Sequence, residues 1–159
     1  MRKCRGSRAL DVGLAIFFAL NVPLVLFLDS TAVLPMSCFP AAIQALVRWH
    51  IRTSGDYLMR DKPPFFLGLV FCEIFVQLPL YIANAIAFYY GKPWGRTTGI
   101  IYGVHTATTM IPILFDILCS QAPTKFQLFS IYVPYLIIPL IVLARLMPYT
   151  YPFAKKRIE

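Results

Sequence analysis

Residues 64–90 read PFFLGLVFCEIFVQLPLYIANAIAFYY, a run in which Glu73, in tenth place, is the one charged side chain. A hydrocarbon core of about 30 Å is crossed by about 20 helical residues, so this run is long enough to span a bilayer. Burying an unpaired carboxyl there costs about 2.5 kcal/mol or more, which makes Glu73 a candidate functional residue by its position alone.

Similar uncharged runs extend from Val12 to Leu28, Thr97 to Phe115 and Phe126 to Ala144. With 58% hydrophobic and 14% charged residues and a mean hydropathy of +0.67, the 159-residue chain is too apolar to present a water-facing surface around one core. The expected fold is an all-α membrane protein: one domain over 1–159, a four-transmembrane-helix bundle with helices at about 9–29, 64–90, 97–118 and 126–147. A secretory signal peptide competes for the first run, given the basic Met1–Arg8 and the small residues Ser30-Thr31-Ala32. The run exceeds the usual apolar region of such peptides and carries Asn21 and Pro23 near its end, which favours a helix of the mature protein.

Orientation follows from the distribution of Lys and Arg. Arg2, Lys3, Arg5, Arg8, Lys92, Arg96, Arg145, Lys155, Lys156 and Arg157 fall on one side, against Arg48, Arg52, Arg60, Lys62 and Lys125 on the other, so both termini are expected in the cytosol. The net charge of +8 then reflects topology and attraction to anionic lipid. No basic face interleaved with aromatics stands on a soluble domain, and nucleic acid is not an expected partner. The tail Lys156-Arg157-Ile158-Glu159 has the form of a dilysine-type retrieval signal to the endoplasmic reticulum, with Arg157 where the stronger form has lysine. Cys38 and Cys119 share the lumenal side and could pair there, but spacing alone gives no distance. Cys4 and Cys72 are expected free. No cofactor and no metal is expected.

The lumenal connection from Ser30 to Lys62 carries Ile43, Leu46, Val47 and His50 at helical spacing beside Trp49, which predicts a short interfacial helix. Gly55 would end it, and Asp56 would cap a second short turn before Pro63 and Pro64 start the next span. Either a surface anchor or a helical lid over a cavity fits this pattern.

Polar residues inside the spans form stripes. Glu73, Gln77, Tyr81 and Asn84 share one face, as do Thr98, Tyr102, His105 and Thr109, while Tyr132 and Tyr135 lie a turn apart. Lipid cannot hydrogen-bond them, so they should point inward, either as interhelical glue or as the wall of a site. Glue needs no ionisable carboxyl. Interior prolines (Pro23, Pro79, Pro112, Pro134 and Pro139) predict kinked helices and space between them. Asp29 lies near the lumenal end of the first span, and Glu73 about 13 Å deep from that same end. If the two meet, they hold a net charge near minus one, the complement of a protonated amine on a greasy skeleton or of a carbocation.

Phe27-Leu28-Asp29 with Ala32-Val33-Leu34-Pro35, Phe71-Cys72-Glu73 through Gln77-Leu78-Pro79, Ile100-Ile101-Tyr102 with Val104-His105-Thr106, and Ser130-Ile131-Tyr132 with Pro134-Tyr135 closely resemble the receptor branch of the EXPERA family. The resemblance covers nearly the whole chain in order. It implies a multi-pass protein of the endoplasmic reticulum, linked also to endosomal and plasma membranes. Such a protein binds sterols or oxysterols and cationic amphiphilic molecules in an occluded cavity, in the service of cholesterol homeostasis, with sterol-transport membrane proteins as further partners; reciprocal helix contacts could make a homodimer, though nothing in the pattern demands one. By position, Asp29 resembles the partner of a ligand amine and Glu73 the carboxyl hydrogen-bonded to Asp29. Gln77, Thr109, Tyr132 and Tyr135 resemble pocket wall, Trp49 and Met59 its lumenal cover, and Asp56 a secondary acidic position, while Tyr102 and His105 are candidate ligand-binding residues through their polar stripe. The enzyme members of the family are sterol isomerases that shift a double bond from the delta-8 to the delta-7 position. Asp29, Glu73 and His105 are the groups here that could serve such proton transfer. The fuller set of acids, histidine and tryptophan of the isomerase is not recognisable, which favours a binding protein.

Overall fold

Four membrane-length helical spans, Arg8–Ala32, Pro64–Tyr90, Gly95–Cys119 and Lys125–Leu146, make up the computed structural model, which describes residues 8–153. The basic N-terminus, Cys4 and the retrieval-type tail lie outside the described residues. The elements run α1 (Arg8–Phe27), two short 3-10 turns (Asp29–Ala32 and Met36–Cys38), α2 (Ala41–Ser54), α3 (Tyr57–Asp61), α4 (Pro64–Cys72), a π turn (Glu73–Gln77), α5 (Leu78–Tyr90), α6 (Gly95–Cys119), α7 (Lys125–Tyr132) and α8 (Pro134–Leu146). The prolines account for several of these divisions. Pro79 has no N–H to offer the Phe75 carbonyl, and the preceding turn widens so that the Leu78 N–H bonds the Glu73 carbonyl instead. Pro134 likewise interrupts the last span, with Val133 between α7 and α8.

The connection between the first two spans is folded. Gly55 ends α2 in the left-handed region at φ 67° and donates its N–H to the Ile51 carbonyl. Its missing side chain also matters, because a Cβ there would overlap the Thr124 hydroxyl at the start of α7. Asp56 caps α3 by accepting the Met59 N–H at 3.0 Å. Lys62 ends α3 in the left-handed region at φ 50°, and its ammonium donates to the Thr31 carbonyl at 2.8 Å. Pro64 then opens α4 at a first-turn position where a missing N–H costs nothing. Cys38, Cys72 and Cys119 are all free, so the Cys38–Cys119 pairing considered from sequence is not present.

At the terminal end the bundle is held by close packing and one buried ion pair. Gly95, Gly99 and Gly103 recur every fourth residue on α6. A Cβ at Gly103 would sit 2.6 Å from Leu143 Cγ and 3.2 Å from the Pro139 carbonyl, so α8 can lie directly on α6. Asp11 in the first turn of α1 accepts two bonds from Arg145 in the last turn of α8, each 3.0 Å, and Arg145 also donates to the Pro152 carbonyl at 2.9 Å. Both side chains are buried, and each charge suits the helix terminus it occupies. The apolar interior divides into two clusters. One, around Phe18, Tyr81, Phe88, Tyr102, Val142 and Leu146, fills the terminal half. The other, around Leu58, Phe66, Val70, Ile113, Ile117 and Leu128, fills the half under α2 and α3.

Replacing Gly103 by leucine should therefore destabilise the detergent-solubilised protein by about 1–3 kcal/mol through overpacking. Gly68→Ala, where a Cβ meets nothing within 4 Å, should leave the thermal midpoint unchanged. Equal midpoints for the two variants would contradict this packing.

Candidate functional site

Between the two apolar clusters lies a cavity of about 300 Å³, within the size range of small-molecule sites. Its walls come from all four spans and from α2 and α3. Leu24, Leu28 and Asp29 belong to the first span, Phe66, Val70, Glu73, Gln77 and Tyr81 to the second, and Thr106, Thr109, Met110 and Ile113 to the third. Ile131, Tyr132 and Tyr135 belong to the fourth, while Leu46, Val47, Trp49, His50, Asp56 and Met59 form the cover. Most of the surface is hydrocarbon and ring. The polar groups collect in a few places.

The two membrane carboxyls share this wall. Asp29 reaches it because α1 gives way after Phe27 to a 3-10 turn that packs against α4. Glu73 reaches it because the π turn begins there. Ser30 and Thr31, beside Asp29, are buried and return their hydroxyls to the carbonyls of Leu26 and Leu28, so neither is available to the carboxyl. Among the described residues no hydrogen bond joins Asp29 to Glu73, and none is donated to either side chain. The two carboxyls are near enough to act on each other electrostatically. Both line an otherwise largely apolar hollow.

Asp56 differs in every respect. It is fully buried, and besides capping α3 it accepts the Tyr132 hydroxyl at 2.9 Å and meets His50 Nε2 at 3.2 Å. The cap expected from the sequence is formed, and the same residue is part of the cavity wall. The hydrogen bond to Asp56 is the largest influence on His50, raising its pKa above the ordinary 6.5. Desolvation opposes this, and the charges of Asp56 and Asp29 reinforce it.

Three further ties hold the cover in place. Tyr57 donates its hydroxyl to Asp116 near the end of α6, Gln127 donates to the Thr53 carbonyl at 3.3 Å, and Lys62 reaches Thr31 as described. Trp49 is 61% exposed, so it stands at the rim with most of its ring outside.

Most of the residues singled out in the sequence meet at this cavity: Asp29, Trp49, Asp56, Met59, Glu73, Gln77, Thr109, Tyr132 and Tyr135. Tyr102 and His105 do not. Tyr102 lies on the same face of α6 as Thr106 but a turn deeper, packed edge-on against Phe18 at 5.0 Å and against Tyr81 at 5.4 Å, where it backs the floor of the cavity. His105 lies about 100° round the helix from Thr106, which turns it off the wall. Its Nδ1 is buried without a partner among the described residues. Asn84 and Thr98, at the deep ends of their stripes, bond each other at 2.6 Å and serve as interhelical glue.

Sequence reasoning passed over His50, Tyr81 and Thr106 as site residues. All three carried a signal. His50 shares a helical face with Val47, Tyr81 belongs to the Glu73 stripe, and Thr106 lies one turn before Thr109. Thr106 donates to Gln77 Oε1 at 3.0 Å, fixing that amide from across the bundle.

A family model described as EXPERA, the expanded EBP superfamily, matches residues 42–146. Sigma intracellular receptor 2 of Homo sapiens and that of Macaca fascicularis are each 36% identical to the chain over 167 aligned positions, covering 94% of both partners. Efficient mitochondria targeting-associated protein 19 of Saccharomyces cerevisiae is 29% identical over 147 positions, covering 78% of this chain and 89% of that protein.

Loss of Asp56 should unfasten the cover. Asp56→Ala removes a helix cap, about 1 kcal/mol, and leaves a buried tyrosine hydroxyl unsatisfied, about 1–3 kcal/mol, so thermal stability should fall clearly. Asp56→Asn keeps a carbonyl oxygen for the Met59 N–H and offers the Tyr132 hydroxyl an amide donor in place of the acceptor, so it should fall less, and Trp49→Ala least of all. If Asp56→Ala unfolds at the wild-type temperature, the cover is not held as described.

Proposed function

Because the chain belongs to the EXPERA family, we propose that it is an intramembrane receptor for sterols or oxysterols and for cationic amphiphiles. The observation that carries this reading is the placement of Asp29 and Glu73 on one apolar wall with no hydrogen-bond donor from the described residues. A carboxylate in low dielectric without donors is a strong attractor for a charged ligand donor, because the ligand's proton replaces the solvation that burial removed. A protonated amine enters that place as the partner of Asp29, with Glu73 as the second acceptor. The hydrocarbon body of the same ligand lies against Leu24, Phe66, Val70, Met110 and Ile113. A sterol fills the same hollow with its ring system and gives its hydroxyl to a carboxyl oxygen or to the Gln77 amide. Asp56, Tyr132, Thr109 and Tyr135 complete the polar wall, and Met59 and Trp49 close the mouth.

The cellular setting goes with this reading: the endoplasmic reticulum membrane, both termini cytosolic, a role in cholesterol homeostasis or trafficking, and sterol-transport membrane proteins as partners. A second reading, delta-8 to delta-7 sterol isomerisation, is favoured by one observation. Two carboxyls and an imidazole lie on one apolar wall, although the imidazole is His50 and not His105. Proton delivery to one carbon and removal from another needs an acid, a base and tolerance of a cation, and such a wall has those types.

Purified protein should bind a radiolabelled cationic amphiphile saturably. Asp29→Asn should weaken that binding at least about tenfold, the loss of one charge-assisted contact, while an uncharged oxysterol loses less. Incubation with a delta-8 sterol should give no delta-7 product. Unchanged amphiphile affinity in Asp29→Asn would refute the assignment, and accumulation of the delta-7 sterol would replace it with the enzyme.

A further inference from the structure

His50 is the one residue among the described cavity lining that can carry positive charge, since no lysine or arginine reaches the wall. It stands among acids. Asp56 holds its Nε2 from the start of α3 at 3.2 Å, and Asp29 bears on it from the turn after α1. Tyr132 of α7 approaches from the fourth span through its own bond to Asp56, and Glu73 faces the same hollow from the π turn. On its own helix, Arg48 and Arg52 are exposed, and Arg48 pairs with Gln44 at 3.4 Å. The His50 side chain is about one third exposed, so protons reach it, whereas Asp56 beneath it is sealed.

We propose that His50 is a selectivity-determining residue of the cavity, a removable positive charge that sets whether the hollow prefers a cationic or an uncharged ligand. With His50 protonated, one of the three wall carboxyls is balanced and the remaining negative potential is smaller. A cationic ligand then binds less tightly, and an uncharged sterol is unaffected. With His50 neutral, the carboxyls act on the cation without that opposition. The sign follows from its environment: the hydrogen bond to Asp56 stabilises the imidazolium, so the positive charge is fully present below about pH 6.5 and is lost as pH rises through the raised value. Affinity for cations therefore climbs across that window. By linkage, a bound cation must in turn ease the proton off His50.

This rests on the receptor reading above, and the test separates the two. The probes are a quaternary ammonium amphiphile, whose charge does not titrate, and an uncharged hydroxylated sterol, each titrated into detergent-solubilised full-length protein between pH 5.5 and 8. For the wild type, affinity for the quaternary probe should rise at least about fivefold across the range, with sterol affinity constant. His50→Gln and His50→Tyr keep a donor for Asp56 without the charge. Both should bind the quaternary probe more tightly than the wild type does at acidic pH, with a shallower profile, the remaining slope being that of the wall carboxyls themselves. A wild-type thermal midpoint and a monodisperse elution profile of the variants report that they fold. A variant profile as steep as the wild type's overturns the role of His50 while leaving the receptor reading in place. No saturable binding of either probe by the wild type at any pH overturns the receptor reading and this inference with it. Should both variants fail to fold, the imidazole titration of the wild type is followed by NMR with and without the quaternary probe. A His50 pKa lowered by the probe supports the proposal, and an unmoved one refutes it.

Discussion

An ionisable carboxyl inside a bilayer has no water to solvate it, and the surrounding chain must either saturate it with donors or leave its charge to something else. The protein does both, in different places. Asp11 is saturated by Arg145, and Asp56 by a backbone amide, a tyrosine and a histidine. Asp29 and Glu73 receive no such donors from the described residues. The contrast matters because the saturated acids hold helices together, whereas the other two face a hollow that is otherwise hydrocarbon. Every functional statement about the molecule follows from that unequal treatment.

The architecture serves the hollow by keeping its two ends different. At the terminal end, Gly99 and Gly103 on α6 let α8 approach closely and the Asp11–Arg145 pair joins the first and last spans. At the other end the spans are held apart by a folded connection. Its cap residue, Asp56, belongs to the cover and the wall at once. A proline and the π turn it induces then place Glu73 and Gln77 where the two halves meet. π turns recur at functional sites, and here the widened turn is also the acid-bearing one.

Much of this was legible in the sequence, for identifiable reasons. Uncharged runs of membrane length fix the spans, because the bilayer leaves few alternatives to a helix. The α2 helix, its Gly55 stop and its Asp56 cap were readable from spacing and turn chemistry. Other features depend on depth or on register, which a one-dimensional pattern does not hold. Tyr102 and His105 sit on a polar stripe with Thr109, yet on α6 the cavity takes only one face between Thr106 and Ile113, so the stripe overstated the site. The π turn shifts the register at Pro79, and no periodicity within one helix reveals it. Asp11 and Arg145 are separated by nearly the whole chain, and only the folded bundle pairs them. The G-x-x-x-G-x-x-x-G spacing on α6 was present in the sequence, and its Gly99 and Gly103 carry the close α6–α8 contact while Gly95 lies against Ala87 of α5.

The most direct test of the central claim is photoaffinity labelling with a cationic amphiphile that carries a diazirine on its hydrocarbon body, followed by mass spectrometric mapping of the adducts. The expected result is labelling of the cavity wall, at Leu24, Leu28, Val70, Met110 or Ile113, competed by excess unlabelled ligand. Adducts confined to the outward faces, at Phe75 or Phe115, would place the ligand in the lipid and contradict an interior acid-bearing site.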